Sequence, residues 1–225
     1  FKKINGYGGL PNGTSESAVS LLSSGIDSPV ASFLMLKRGV KVHYVHFHSA
    51  PATNRQSIQN CKKLVDTLSK FQLESELYMI PILPIQKNIM SEIKDKYWVI
   101  LFRRAMVKLA CQLANELDIN ALISGENVGQ VSSQTISNIH AISSVSTLPI
   151  LRPIAGNNKE EIIITAKEIG TYEYSIAPHQ DCCSFFLPLH PELKANLKYI
   201  DKIEGTLNNE KLYETAMMKK KVYRT

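Results

Sequence analysis

The chain has 225 residues, of which 44% are hydrophobic and 20% are charged, with a formal net charge of +6. These fractions are typical of a globular protein, and they exclude a disordered or low-complexity chain. The sequence has four cysteines without a C-x-x-C pair and no apolar run of about 18 residues, so we expect no disulfide scaffold, zinc site or membrane span. Its first residues hold no apolar signal core, which indicates a cytoplasmic protein. The basic charge permits a polyanionic partner without requiring one.

Short apolar runs alternate with amphipathic segments over residues 15–178. The predicted strands are Ala18–Leu22, Val40–Phe47, Glu76–Ile82, Ala121–Ser124 and Leu148–Leu151. The predicted helices are a stretch around Val30–Leu34, then Thr53–Lys70, Val99–Leu117 and Lys159–Ile169. This alternation indicates the α/β class, with a doubly wound parallel sheet of five strands and helices on both faces. Residues 1–14 are rich in Gly and Pro and predict a linker, and residues 179–225 predict a thiol loop and a basic helical tail.

The helix predicted from Lys159 begins with an unusual charge. Two overlapping capping signals precede it, Asn157 with Glu160 and Asn158 with Glu161. The helix dipole disfavours a cation at a helix N-terminus, so a lysine at this position indicates that an anion lies close by.

The loop after the first predicted strand, Ser23–Ser28, carries the clearest chemical signal. Its small residues let backbone N–H groups approach a phosphate, and the helix that begins near Pro29 adds partial positive charge. Asp27 is an unusual neighbour for phosphate unless a Mg²⁺ ion lies between them, which makes it a candidate metal ligand. The alternative is a Ser/Gly turn with Asp27 as a helix cap. The position after the first strand favours phosphate, because ligands of doubly wound sheets bind at the carboxyl ends of strands.

This loop and five further segments resemble one known family. Residues 21–31, LLSSGIDSPVA, resemble the S-G-G-x-D-S pyrophosphate loop of the PP-loop ATP pyrophosphatases, and the SPVA that ends them resembles the tRNA 4-thiouridine synthetase (tRNA sulfurtransferase) branch. The further matches follow in order: VHFH at 45–48, FRRAM at 102–106, SGENVGQVSSQT at 124–135, LRPI with KEEI at 151–162, and DCC with HP at 181–191. Ser24 departs from the family, because it stands where the first loop glycine belongs. A serine preserves the loop only if its φ is negative.

The resemblance implies roles for individual residues. It implies that ATP is bound by Leu21, Leu22, Ser23, Gly25, Ser28, His46, Phe47, Arg103, Gly125 and Gln134. Catalytic roles are implied for Asp27, as a ligand of Mg²⁺, and for Lys159 in adenylation. Cys183 aligns best with the family's conserved thiol, and Cys182 is an adjacent second thiol.

The resemblance also implies a reaction. The family transfers AMP to O4 of a uridine in tRNA, releases pyrophosphate, and then replaces the activated oxygen by sulfur to give 4-thiouridine. ATP and Mg²⁺ are the implied cofactors, tRNA and a cysteine desulfurase are the implied partners, and a homodimer is left open. A supply of sulfur for the thiazole of thiamine is a further implied role. Residues 1–14 are then expected to link residues 15–178, the PP-loop domain, to an N-terminal RNA-binding module that is missing here.

Two other functions stay open at the level of the sequence. One is a PP-loop nucleotide-binding module without catalysis, which the serine at position 24 keeps in view. The other is an adenylating enzyme that uses a nitrogen nucleophile. The adjacent cysteines and the SPVA segment disfavour this second alternative.

Overall fold

The computed structural model describes residues 6–178 and 186–225. Its strands are β1 (Ser17–Leu21), β2 (Lys41–His48), β3 (Glu76–Pro81), β4 (Leu122–Ser124), β5 (Ile150–Leu151) and β6 (Lys221–Arg224). Its helices are α1 (Asp27–Leu36), α2 (Gln56–Leu68), α3 (Leu83–Glu92), α4 (Trp98–Glu116), α5 (Ile136–Ser143), α6 (Lys159–Glu168), α7 (Tyr172–Ile176), α8 (Leu197–Glu204) and α9 (Glu210–Met218). Short 3-10 turns lie at Ser69–Phe71, Asp95–Tyr97 and Ser132–Gln134.

The strands form one sheet of order β5-β4-β1-β2-β3-β6. The five predicted strands are present and pair in parallel, which confirms the predicted α/β class. The chain leaves β1 toward β2 and β3 and later returns to β4 on the other side of β1. The strand order therefore reverses at β1, and a crevice opens where the carboxyl ends of β1 and β4 diverge.

The sheet has six strands, one more than the five predicted. Residues 221–224, assigned to a basic helical tail, form β6, which pairs antiparallel with β3. Tyr223 lies opposite Leu77, packs against the core and donates a hydrogen bond from its hydroxyl to Asp66 (2.8 Å). The sequence did not predict this strand, because only Val222 and Tyr223 carry the β-branched or aromatic side chains that favour a strand.

Helices cover both faces of the sheet, as the sequence predicted. On one face, α4 supplies the fully buried Phe102, Leu109 and Leu113 to a core that also includes Ile200 and Met217 of the tail. On the other face, α1, α2 and α6 pack over a second core. Residues of the tail thus share a core with the predicted PP-loop domain, and the proposed boundary at residue 178 stays a prediction. Within the described ranges, no helix has the length and apolar character that crossing a membrane requires.

Candidate functional site

A cleft lies at the carboxyl ends of β1, β2 and β4. Of the ten residues predicted to bind ATP, nine line it: Leu21, Leu22, Ser23, Ser28, His46, Phe47, Arg103, Gly125 and Gln134. Gly25 does not line the cleft, and its carbonyl accepts a hydrogen bond from the hydroxyl of Ser175 on α7 (3.3 Å). The structure therefore brings the predicted residues together, and their contact with a nucleotide stays a prediction.

The loop between β1 and α1 is braced by its own serine hydroxyls. The Ser28 hydroxyl accepts from the backbone N–H of Ser23 (2.9 Å), and the Gly25 N–H donates to the Ser23 hydroxyl (3.3 Å). The end of β4 approaches the start of α1 so closely that a Cβ on Gly125 would lie 2.6 Å from the Cα of Ser28. Glycine is required at position 125 because any side chain would push the loop away from β4.

Ser24 fits the loop without backbone strain. Its φ lies outside the left-handed region, so the position does not need glycine for conformational reasons. The side chain is fully buried, and its hydroxyl makes no hydrogen bond with the residues that the structure describes. The departure from the family's glycine therefore leaves the path of the loop intact.

Asp27 is the first residue of α1, and both of its carboxylate oxygens are engaged. Oδ1 lies 2.6 Å from Nζ of Lys159, and Oδ2 accepts from the side-chain amide of Gln130 (3.0 Å). Lys159 opens α6, where Asn158 and Glu161 form the capping box, the second of the two predicted pairs. The anion that Lys159 was predicted to need is thus Asp27 in this structure. Gln130 was not identified from the sequence.

The residues at this end of the cleft fit a Mg²⁺ ion that takes most of its ligands from a nucleotide. The Asp27 side chain is partly exposed at the cleft, and Ser23 and Ser28 add hydroxyls beside it. No group of three metal-binding side chains occurs among the described residues. Mg²⁺ is commonly held by one or two carboxylates with substrate phosphates and water, so a single carboxylate suits it.

Part of the cleft lining is apolar. Phe47 at the end of β2 and Met106 and Val107 on α4 line it, together with Ile142 and Ile150. His46 beside them is buried, with Nδ1 3.0 Å from the carbonyl oxygen of Leu22 and 3.3 Å from Sγ of Cys61. A cleft lined by apolar side chains together with hydroxyls and charged groups suits a ligand with a flat ring and an anionic tail.

Two neighbouring arginines on α4 have different surroundings. Arg103 lines the cleft and forms an ion pair with the buried Glu126 (2.8 Å). Arg104 points away into the protein, where it is 2% exposed and pairs with Asp201 (2.6 Å) and Glu204 (2.7 Å) of α8. The family match favoured Arg103 for the site, and the structure places Arg103 there.

Glu126, directly after Gly125, is a cleft residue that the sequence analysis missed. Its other carboxylate oxygen accepts from Nε of Arg152 (2.8 Å), so one carboxylate joins two guanidinium groups. The signal in the sequence was an acidic residue at the carboxyl end of a buried strand. The family resemblance implied a role only for the neighbouring Gly125.

His48, at the end of β2, stays neutral well below neutral pH. Its pKa is lowered to about 4, first by burial and then by the positive charges of its surroundings. Those neighbours are His46, Lys221 and Arg55. The His48 imidazole is therefore uncharged at physiological pH.

Cys182 and Cys183 lie outside the described residues. On one side of that segment Ser175 bonds to the carbonyl oxygen of Gly25 in the loop after β1, and on the other side the ring of Phe186 lies edge-on to the core residue Phe102, with 6.3 Å between centroids. The cysteines that the structure does describe, at positions 61 and 111, are buried.

The fold and the cleft together define an α/β protein of the PP-loop class, in which the loop after β1 and the start of α1 face the cleft. A family model described as "Thiamine biosynthesis protein (ThiI)" matches residues 13–209, and the chain belongs to this family. The resemblance that was read from the sequence is thereby confirmed.

Relatives with known names agree with this assignment. A probable tRNA sulfurtransferase of Finegoldia magna is 45% identical over 96% of this chain and 55% of the relative. One of Thermus thermophilus is 42% identical over 96% of this chain and 53% of the relative. The crystal structure of a 4-thiouridine synthetase–RNA complex with bound ATP superimposes with a TM-score of 0.93 at 41% identity, covering 97% of this chain and 57% of that one. The chain thus spans about half the length of the relatives it matches.

Proposed function

We propose that this chain is the ATP-using part of a tRNA sulfurtransferase that makes 4-thiouridine. The observation that carries the proposal is the meeting of Asp27 and Lys159, 132 residues apart in sequence, at the mouth of the phosphate loop. At that place the ammonium group can neutralise charge on a departing pyrophosphate, and the carboxylate can hold a Mg²⁺ ion that does the same. The similarity to a 4-thiouridine synthetase with bound ATP and RNA supports this reading.

The chemistry requires that a carbonyl oxygen of uracil be made into a leaving group. Attack of O4 on the α-phosphate of ATP forms the O4–AMP bond and releases pyrophosphate. The N–H groups of the Ser23–Ser28 loop and the N-terminus of α1 favour the negative charge that leaves. Lys159 and Arg103 add cationic donors on either side. Mg²⁺, when held by Asp27, supplies further neutralisation of phosphate charge.

The second step replaces AMP by sulfur. We assign the sulfur carrier to Cys183, with Cys182 as the neighbouring thiol, and both assignments follow from the family resemblance. The terminal sulfur of a persulfide attacks C4, the C4–O bond to AMP breaks, and a second thiol then cleaves the sulfur–sulfur bond. A thiol reductant must reopen the disulfide that results. Thiolates near positive charge suit this role because their pKa is lowered.

The proposed partners follow from this reaction. tRNA is the substrate, a cysteine desulfurase is the sulfur donor, and the cytoplasm is the compartment that holds both. The description of the matching family supports a second use of the sulfur, in thiamine synthesis. A homodimer stays open. The proposed upstream RNA-binding module is in keeping with relatives about twice as long as this chain.

The test measures both half-reactions in the complete protein that contains this chain. With ATP, Mg²⁺ and unmodified tRNA we expect pyrophosphate release, and with a persulfide donor we expect sulfur-labelled tRNA. ATP binding without pyrophosphate release would favour a non-catalytic module. Pyrophosphate release followed by incorporation of nitrogen would favour an amine nucleophile.

Substitution of the cysteines separates the two steps. C183S should release pyrophosphate normally and block thiolation, because a hydroxyl cannot carry a persulfide. C182S is the matched control, and we expect a milder loss of thiolation. Full thiolation by C183S in a single turnover would contradict the assignment of the carrier.

A further inference from the structure

A buried carboxylate in the cleft wall connects two arginines from different parts of the chain. The Glu126 side chain is 9% exposed; Oε1 lies 2.8 Å from NH1 of Arg103, and Oε2 lies 2.8 Å from Nε of Arg152. The two arginine side chains are 25% and 19% exposed. All three groups have therefore lost most of their hydration, which is costly unless they are held in good hydrogen-bond geometry.

The network fixes Arg103 from several elements at once. Arg103 projects from α4, and Glu126 follows β4 at its carboxyl end. Arg152 follows β5 and donates from NH2 to the hydroxyl of Ser143 on α5 (2.6 Å). A guanidinium group that is bound through one of its nitrogen atoms keeps its other donors in a fixed plane.

The chemistry of Glu126 argues against direct contact with phosphate. A carboxylate repels a polyphosphate, and each of its oxygens already accepts a hydrogen bond from a guanidinium group. One carboxylate between two guanidinium groups leaves a formal charge of +1 for the trio. The wall therefore offers a nucleotide a single net positive charge on a positioned arginine.

We infer that Glu126 is a positioning residue for Arg103: it holds the guanidinium group at the cleft wall in the orientation that receives the phosphates of ATP, and Arg152 in turn holds Glu126. This inference rests on the proposed function, since it needs ATP in the cleft. It gives a role to a residue that does not itself contact the reacting atoms.

A double-mutant cycle on ATP affinity tests the inference, with binding to this chain measured calorimetrically in the presence of Mg²⁺. We expect E126Q and R103Q each to weaken ATP binding by roughly tenfold to a hundredfold, the range for lost hydrogen bonds to charged groups. In the R103Q background, E126Q should add less than about a threefold loss, because residues that act through one another are not additive.

Two further variants keep the cycle interpretable. E126D retains the charge on a shorter side chain, and its smaller loss should also vanish in the R103Q background, which covers the case in which E126Q does not fold. E116Q removes a carboxylate from the surface pair with Lys220 (2.7 Å) and should leave ATP affinity unchanged. Thermal unfolding of each variant identifies losses that come from the fold alone.

The outcomes separate the inference from the proposed function. Equal losses from E126Q in both backgrounds, or unchanged ATP affinity in folded E126Q, would overturn the positioning role. Unchanged affinity in R103Q would overturn it as well, because Glu126 would have no arginine to act through. Failure of the unsubstituted chain to bind ATP would refute the proposed function, and the inference with it.

Discussion

Two parts of the cleft lining are held in place by hydrogen bonds that span very different distances along the chain. In the phosphate loop, the hydroxyl of Ser28 bonds to Ser23, five residues away. After β4, Glu126 bonds to Arg103 and Arg152, which are 23 and 26 residues away. The loop can take its shape as soon as β1 and α1 form. The bonds of Glu126 exist only after α4, β4 and β5 have been assembled side by side.

The same contrast appears between two adjacent residues of α4. Arg103 and its neighbour Arg104 share a helix and a charge, yet Arg103 faces the cleft while Arg104 bonds to Asp201 and Glu204, 97 and 100 residues away. Helix geometry sends consecutive side chains in directions about 100° apart. Arg103 therefore lines the cleft, whereas Arg104 bonds to the tail. The family resemblance favoured Arg103 for the site, but the local sequence did not separate the two arginines.

The largest effect should come from Asp27, at the start of α1 beside the phosphate loop. D27N should lower the rate of pyrophosphate release roughly a thousandfold, the size expected when a charge-stabilising group is lost from a reaction centre. Stability should fall by less than about 1 kcal/mol, because the Lys159 partner is substantially exposed. Parallel measurement of pyrophosphate release and urea unfolding checks both. A D27N protein with unchanged release would remove Asp27 from the reaction.

For Arg104 we expect the reverse of D27N, a large loss of stability. R104L removes the buried partner of Glu204, which is itself 12% exposed, and should reduce the free energy of unfolding by roughly 3 kcal/mol. R103Q should reduce it much less, since Arg103 is more exposed. Urea titrations of the two variants make the comparison. Equal destabilisation by both would erase the distinction between the two arginines.

A pH titration tests a residue with both local and distant partners. The pKa of His48 is lowered to about 4 by burial, by nearby His46 and by Lys221 on β6. Between its ordinary value of about 6.5 and about 4, the unfolded chain binds a proton that the folded chain does not. The free energy of unfolding should therefore fall as the pH decreases through that window. H48Q should flatten this part of the stability profile, and an identical profile would show that other groups cause the slope.

The smallest effect should come from the residue that departs from the family. S24G should change the dissociation constant for ATP by less than about threefold, because the loop at Ser24 needs no left-handed backbone and the hydroxyl makes no bond with the described residues. Calorimetric titration of the variant measures it. A large loss of affinity would mean that the Ser24 hydroxyl is used when ATP is bound.

The features that could be predicted from the sequence are those that depend on local patterns, and the features that were missed depend on distant contacts. Local patterns placed β1, expected at Ala18–Leu22 and found at Ser17–Leu21, and the long helix α4, within a residue or two. The predicted ATP residues came from the family resemblance rather than from local patterns, and the structure brings nine of the ten to one cleft. The ion pairs of Glu126 with Arg103 and Arg152 and the pairing of β6 with β3 were not predicted, because each depends on residues that meet only in the folded chain.

The pairing of β3 with β6 has a consequence in time. Met79 of β3 and Lys221 of β6 are paired across about 140 residues of sequence. At a synthesis rate of about 5–20 residues per second, β6 is made on the order of ten seconds after β3. Leu77, Tyr78, Met79 and Ile80 make that strand apolar. An open apolar edge is a template for pairing with other chains. Pairing of β6 with β3 therefore covers the edge through which a newly made chain could pair with other chains.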